Sequence, residues 1–117
     1  MSDFTIHGIN HVALRVNDMA ASRDFYADLL GATVLKETER FIFLRAGGGD
    51  FVALFPSDQP HIEHYCFTVE DYDPDDAQRR LEQRGLTVHR REDRVFVRDP
   101  DGLLVQLSGE PGDDPTG

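Results

Sequence analysis

Two stretches of the chain repeat one another at a fixed spacing, and each copy begins with a histidine. The first is His11-Val-Ala-Leu-Arg-Val-Asn-Asp18, and 53 positions on stands His64-Tyr-Cys-Phe-Thr-Val-Glu-Asp71. The match continues as Gly31-Ala-Thr-Val34 with Gly85-Leu-Thr-Val88, Phe43-Leu-Arg45 with Phe96-Val-Arg98, and Val52-Ala-Leu54 with Val105-Gln-Leu107. Self-similarity at a fixed period signals a repeated supersecondary unit. It makes the two histidines symmetry mates that could face one cavity. A copy of roughly 50 residues is marginal as an independent fold, so the two must share a core. A single domain over residues 1–109 is predicted, with module one at about 9–55, a linker at 56–60 and module two at about 62–108.

Within each copy the periodicity changes in the same order. From His11 to Val16 it is two: Val12, Leu14 and Val16 on one side, His11, Ala13 and Arg15 on the other, as a strand with one face on a core requires. Asp18 is a candidate N-cap, after which Met19, Ser22, Phe25, Tyr26, Leu29 and Leu30 recur at helical spacing until Gly31, a C-terminal glycine signal. Strands follow at Thr33–Lys36, Arg40–Arg45 and Phe51–Phe55, with Gly47-Gly-Gly49 as a turn. The second copy predicts a strand over His64–Val69 and a helix from Pro74 or Asp75 to Arg84. Strands over Leu86–Arg90, Arg94–Arg98 and Leu103–Ser108 come next, the last two joined by the turn Asp99-Pro-Asp-Gly102. The expected architecture is α+β, two tandem βαβββ modules forming a curved mixed sheet around a concave cavity. Strand parity puts His11, Ala13, Arg15, Phe51, Ala53 and Phe55 on the concave side, with His64, Cys66, Thr68, Leu104, Gln106 and Ser108. It sends Tyr65, Phe67 and Val69 inward under the second helix.

Charge narrows the partners. With 22 acidic against 12 basic residues the formal charge is −10, which repels a phosphate backbone or an anionic lipid surface, so neither nucleic acid nor membrane is an expected partner. Cys66 is the only cysteine, which forbids an intrachain disulfide and suits a reducing, cytoplasmic location. No secretory signal or membrane-length apolar run is evident. Residues 110–117, rich in turn formers and charge, are expected to be a disordered tail.

Ile9-Asn-His-Val-Ala-Leu-Arg-Val16, Ser22-Arg-Asp-Phe-Tyr26, Leu30-Gly31 and Asp99-Pro-Asp-Gly-Leu-Leu-Val-Gln-Leu107 together resemble the vicinal oxygen chelate superfamily. That superfamily includes glyoxalases, fosfomycin-resistance enzymes, extradiol dioxygenases and bleomycin-resistance proteins. In its metal-dependent members, the resemblance implies ligands on the first and last strand of each module. Carried over, these are His11 and His64 on the first strands and Gln106 on the last strand of module two; the equivalent Ala53 cannot ligate. Both usual glutamate ligands are therefore missing. A two-histidine, one-carboxylate iron centre lacks its anion, and a glyoxalase-type isomerisation lacks its ligating base.

What survives is a neutral His11, His64, Gln106 face for a weakly held divalent cation (Zn, Mn, Fe or Ni) acting as a Lewis acid, with no organic cofactor. Arg15, Phe51, Phe55, Thr68 and Ser108 are the expected substrate-facing residues, and no catalytic residue is assigned. The expected function is a metal-centred lyase, transferase or dioxygenase acting on a small oxygen-rich or anionic molecule. The alternative is a metal-free drug-sequestering protein that traps an aromatic or cationic compound on Phe51, Phe55, Tyr65 or Tyr26. Each residue also has a plainer account: His11 and His64 as hydrogen-bonded strand residues, the phenylalanines as core, Arg98 as a partner of Asp99, Cys66 as a small buried hydrophobe, His7 as a loose terminal residue. In His61-Ile-Glu-His64 strand parity lets only one histidine face the cavity. Relatives pair their modules within a chain or across a dimer, and a homodimer is expected.

Overall fold

The computed structural model describes residues 2–109, so the predicted tail lies outside the described residues. Among those residues the order is β1 (Ile6–Val16), α1 (Met19–Asp24) continued by a π-helical turn (Phe25–Leu29), β2 (Thr33–Glu37), β3 (Ile42–Arg45) and β4 (Phe51–Pro56). Then come β5 (His61–Val69), α2 (Pro74–Gln83), β6 (His89–Arg91), β7 (Arg94–Arg98) and β8 (Leu104–Ser108). The class is α+β, and βαβββ occurs twice. Contacts gather the chain into two compact units, residues 11–63 and residues 2–10 with 64–109.

In the first unit β1 pairs β4 in parallel, and β4–β3 and β3–β2 are antiparallel. Asp18 does cap α1, accepting from the Ala21 N–H at 3.0 Å. One face of this sheet carries Ile42, Leu44 and Leu54, packed with Leu14, Val16, Met19, Tyr26 and Ala27. The other carries Ala13, Phe43, Phe51 and Ala53 with Phe41 and Phe55 at the margin. The alternation predicted for β1 and β4 is thus observed.

The helical stripe is only partly right. Phe25, Leu29 and Leu30 are 50, 69 and 62 % exposed, although their spacing predicted an inward face. The reason is the π-helical turn, where the Leu30 N–H bonds to the Phe25 carbonyl at 3.3 Å. One extra residue per turn rotates the later side chains by about 100°, so Tyr26 and Ala27 reach the core and the leucines do not. Tyr26, a candidate ligand-trapping ring, belongs to this helix-side core, opposite the face of Phe51. The predicted strand over Arg40–Arg45 starts later, at Ile42, because Thr38 makes a turn: its hydroxyl accepts from the N–H groups of Arg40 and Phe41.

In the second unit β5 and β8 are parallel, and β8–β7 and β7–β6 antiparallel. Asp73 caps α2 with Pro74 in its first turn, and Asp75 and Asp76 sit where the helix dipole favours negative charge. Ala77 and Leu81 of α2 pack on Val69, Val95, Val97 and Leu107, with Phe67 and Val105 beside them. Tyr65, predicted to pack under this helix, is 36 % exposed and does not join the cluster that α2 covers. The strand predicted over Leu86–Arg90 is shorter and later, His89–Arg91: the Leu86 N–H is already taken by the Leu81 carbonyl in the closing turn of α2. Gly85 makes that turn at φ +84°, as Gly31 does after the first helix.

Residues before His11 group with the second module. The Glu70 N–H bonds to the Thr5 carbonyl at 2.9 Å, and Arg84 donates to both carboxylate oxygens of Asp3 at 2.7 and 3.0 Å, a pairing that holds Asp3 below its ordinary 3.8. His7 is no loose terminal residue, since it lies within β1 and faces Glu70 at 3.6 Å. Leu54 is fully buried among Ile42 and Leu44, so Leu54→Ala should cost about 2–5 kcal/mol. Leu103→Ala, at a 58 % exposed position, should be near neutral. Equilibrium urea unfolding of the two variants measures both.

Candidate functional site

The two histidines occupy equivalent places in their own units. His11 is 9 % exposed and stands opposite Phe51 in the β1–β4 register, its ring stacked on that phenylalanine at 4.4 Å between centroids and 25° between planes. His64 is also 9 % exposed, meeting Phe96 edge-on at 5.4 Å, with Nδ1 fully enclosed. Both rings are on the sheet face away from their helix.

Around His11 the face is aromatic and cationic. Phe43 meets Phe51 and Phe55 edge-on at 5.4 and 6.4 Å and stacks on Phe41 at 4.6 Å. The Arg15 guanidinium lies 5.0 Å over the Phe55 ring and pairs with Glu63 at 2.9 Å. Ala53 stands between Ala13 and Phe43 and offers no donor.

Around His64 the face is polar. Cys66 faces Gln106 across β5 and β8, Thr68 faces Ser108, and Phe96 of β7 lies beside Gln106. Gln106 is 7 % exposed, and Thr68 and Asn10 are buried too. Asn10 is not among the candidates drawn from the sequence. Its amide donates to Thr68 Oγ1 at 3.3 Å and to the Gly109 carbonyl at 3.4 Å, tying the start of β1 to the ends of β5 and β8. A polar residue interrupting the run Ile9-Asn-His-Val is the signal that could have found it. Buried polar side chains are costly unless paired, and the Asn10–Thr68 hydrogen bond meets that requirement for two of them.

Other candidates separate from this face. His61 Nδ1 lies 2.7 Å from the Gln59 carbonyl, on the exposed start of β5. Arg98 donates across its turn to the Gly102 carbonyl at 2.8 Å, and not to Asp99. Among the described residues no group of three or more His, Cys, Asp or Glu side chains is gathered to hold a metal ion, and no helix is long and apolar enough to cross a membrane.

The model of the Glyoxalase/Bleomycin resistance protein/Dioxygenase superfamily matches residues 8–107. The chain belongs to that superfamily. Similar curated proteins include the metallothiol transferase FosB of Staphylococcus haemolyticus, 30 % identical over 115 residues, covering 87 % of this chain and 83 % of that protein. The glutathione transferase FosA of Serratia marcescens is 27 % identical over 113 residues, covering 87 % of this chain and 80 % of that one. Among solved structures, an extradiol ring-cleaving dioxygenase from B. fuscum superposes with a TM-score of 0.81 at 27 % identity over 93 % of this chain. This chain spans only 34 % of that dioxygenase's length. The activities named among these relatives are thus group transfer and ring-cleaving dioxygenation.

Cys66 lies on the His64 face, yet it is fully buried, and burial pushes its thiol up to about 12 against a partly offsetting hydrogen bond with Ser108. The thiolate is the reactive form, so at pH 8 iodoacetamide should label the folded chain at least about a hundredfold more slowly than the chain in guanidinium. Mass spectrometry of timed samples reads the ratio, and rapid labelling of the folded chain would show Cys66 to be an accessible nucleophile.

Proposed function

We propose that the chain is a metal-centred enzyme acting on a small oxygen-rich or anionic molecule, with His11, His64 and Gln106 holding a divalent cation (Zn, Mn, Fe or Ni). The single observation that carries this reading is the matched burial of the two histidines on the helix-free face of their units, with Gln106 on the face of His64. The donor set fits such a cation: neutral imidazoles are good borderline ligands and the Gln106 amide oxygen a weak one. All three are uncharged, so the ion keeps its full charge and is held loosely. When bound it supplies Lewis-acid polarisation of adjacent substrate oxygens. The residues proposed to face the substrate are Arg15, Phe51, Phe55, Thr68 and Ser108: a cation and rings from the first unit, hydroxyls from the second.

The enzyme class is a lyase, transferase or dioxygenase of the superfamily's kind, and the named activities of the relatives support it. Within residues 1–109 we propose one functional domain. The lone buried cysteine suits a cytoplasmic home. A second reading, metal-free sequestration of a small molecule, is favoured by one observation: the aromatic cluster of Phe41, Phe43, Phe51 and Phe55, which could hold a flat ligand without any ion.

Elemental analysis of untagged protein after dialysis against Zn²⁺ or Mn²⁺ separates the two. Stoichiometric metal that is lost in His64→Ala, with the variant still folded by circular dichroism, supports the enzyme; none bound supports the sequestering protein. Gln106→Glu should tighten metal binding by roughly tenfold, since an anionic ligand is restored. We also propose a homodimer, on the strength of the exposed apolar Phe25, Leu29 and Leu30; light scattering that returns the mass of a single chain at micromolar concentration would refute it.

A further inference from the structure

We propose that the Thr68 hydroxyl and the Gln106 side-chain N–H form a donor pair for one oxygen of an oxyanion on the His64 face, and that Asn10 is the residue that aims Thr68. This deepens the proposed function and rests on it only for the placing of Thr68 and Gln106 toward substrate.

The direction of one hydrogen bond carries it. Asn10 Nδ2 donates to Thr68 Oγ1 at 3.3 Å and to the Gly109 carbonyl at 3.4 Å. A carbonyl only accepts, so Gly109 fixes which end of the Asn10 amide carries the nitrogen. That nitrogen has no lone pair to offer in return, and a hydroxyl has a single proton. The Thr68 O–H is therefore turned away from Asn10, as a donor. Asn10 is 4 % exposed and tied at two points, so the lone pair it takes on Thr68 does not vary.

The neighbouring strand supplies the second donor. Ser108 stands opposite Thr68 in the β5–β8 register, but its hydroxyl is engaged with the Cys66 thiol. Gln106 stands opposite Cys66, one diagonal step from Thr68. Strand spacing and rise put the two Cα atoms about 8 Å apart, a gap that the long glutamine side chain closes. A glutamate here would be acceptor only, whereas the amide keeps one oxygen for a cation and adds two N–H donors. The glutamine thus gives up charge toward a metal and gains a donor toward substrate.

Charge and burial agree with an anionic acceptor. Val95 and Val97 belong to the cluster under α2, so alternation puts Arg94 and Arg98 on the opposite face of β7 with Phe96, the ring that meets His64. Two cations flank that ring in a chain whose formal charge is −10, which draws an anion locally. Thr68 and Gln106 are 4 and 7 % exposed, and donors shielded from water bind a charged oxygen more strongly than a neutral one.

The test is titration of the metal-stripped, full-length chain with sodium acetate and with acetamide at constant ionic strength, followed by heteronuclear NMR. Acetate should shift the amides of β5 and β8, and acetamide should bind at least about fivefold more weakly. Thr68→Val, which keeps the shape and drops the hydroxyl, should weaken acetate about tenfold, and Thr68→Ser should restore most of the loss. Gln106→Met should weaken it similarly. As a positioning residue, Asn10 should matter only through Thr68: Asn10→Ala should weaken acetate in the parent and change nothing in Thr68→Val. A merely structural Asn10 would lower affinity in both. Should Asn10→Ala not fold, Asn10→Asp replaces it; its carboxylate accepts the Thr68 proton and should abolish the shift.

Unchanged acetate affinity in Thr68→Val, with the spectrum of a folded chain, overturns the proposal. So does acetamide binding as tightly as acetate, or the absence of any shift with acetate. Binding that follows Thr68 without metal supports the donor pair even if no ion is ever held. Binding that appears only after Zn²⁺ is added and ignores Thr68 overturns the pair and supports the metal centre alone.

Discussion

A helix can seal only one face of a four-stranded sheet, and in both halves of this chain the chemically useful side chains stand where that seal is absent. α2 closes over Val69, Val95, Val97 and Leu107, and Met19, Tyr26 and Ala27 close over Ile42, Leu44 and Leu54. Because side chains alternate along a strand, every residue fixed to the helix side commits its neighbours to the other. Leu54 inside puts Ala53 and Phe55 outside; Leu107 inside puts Gln106 and Ser108 outside. A one-residue slip of register would exchange the two sets and bury Gln106 and Ser108 under the helix. The apolar clusters thus hold the polar face in place.

How much of this is legible in the amino-acid order depends on the range of the physics involved. Arg94–Arg98 is legible to the residue, since a strand bounded by a turn and an Asp-Pro-Asp-Gly hairpin depends on its neighbours alone. The facing of Cys66 with Gln106 is legible for the same reason: parity is local and the duplication doubles the signal. The failures are tertiary. Nothing in Phe25-Tyr-Ala-Asp-Leu29 announces a π-helical turn, so the phase change that turns Leu29 and Leu30 outward is invisible to a constant helical period. Tyr65 continues the alternation of β5, yet it stays outside the cluster under α2, which alternation alone does not reveal. Residues 3–10 carry no copy of the repeat's hallmark, and their grouping with the second module depends on partners far along the chain: Thr68, Glu70, Arg84 and Gly109.

The two copies have kept their architecture and exchanged their chemistry. At positions related by the repeat, Ala13 answers Cys66, Arg15 answers Thr68, Ala53 answers Gln106 and Phe55 answers Ser108. The first module carries Arg15 and Phe55 where the second carries hydroxyls, and alanines where the second carries a thiol and a buried amide. The histidines, the ring on the neighbouring strand of each, Phe43 in one and Phe96 in the other, and the arginines two residues on, Arg45 and Arg98, are common to both.

That division explains why the histidines alone are poor guides to a reaction. An imidazole on a strand is equally at home stacked on Phe51 or set edge-on to Phe96, and neither contact selects a substrate. Selection lies in the surroundings of each ring. Around His11 stand Arg15, Lys36 and Arg45 beside four phenylalanines, and around His64 stand Thr68, Gln106 and Ser108. The missing glutamates bear on the proposal: with Ala53 and Gln106 in the last strands neither module offers a carboxylate there, so a cation held as proposed would draw its negative charge from the substrate's own oxygens.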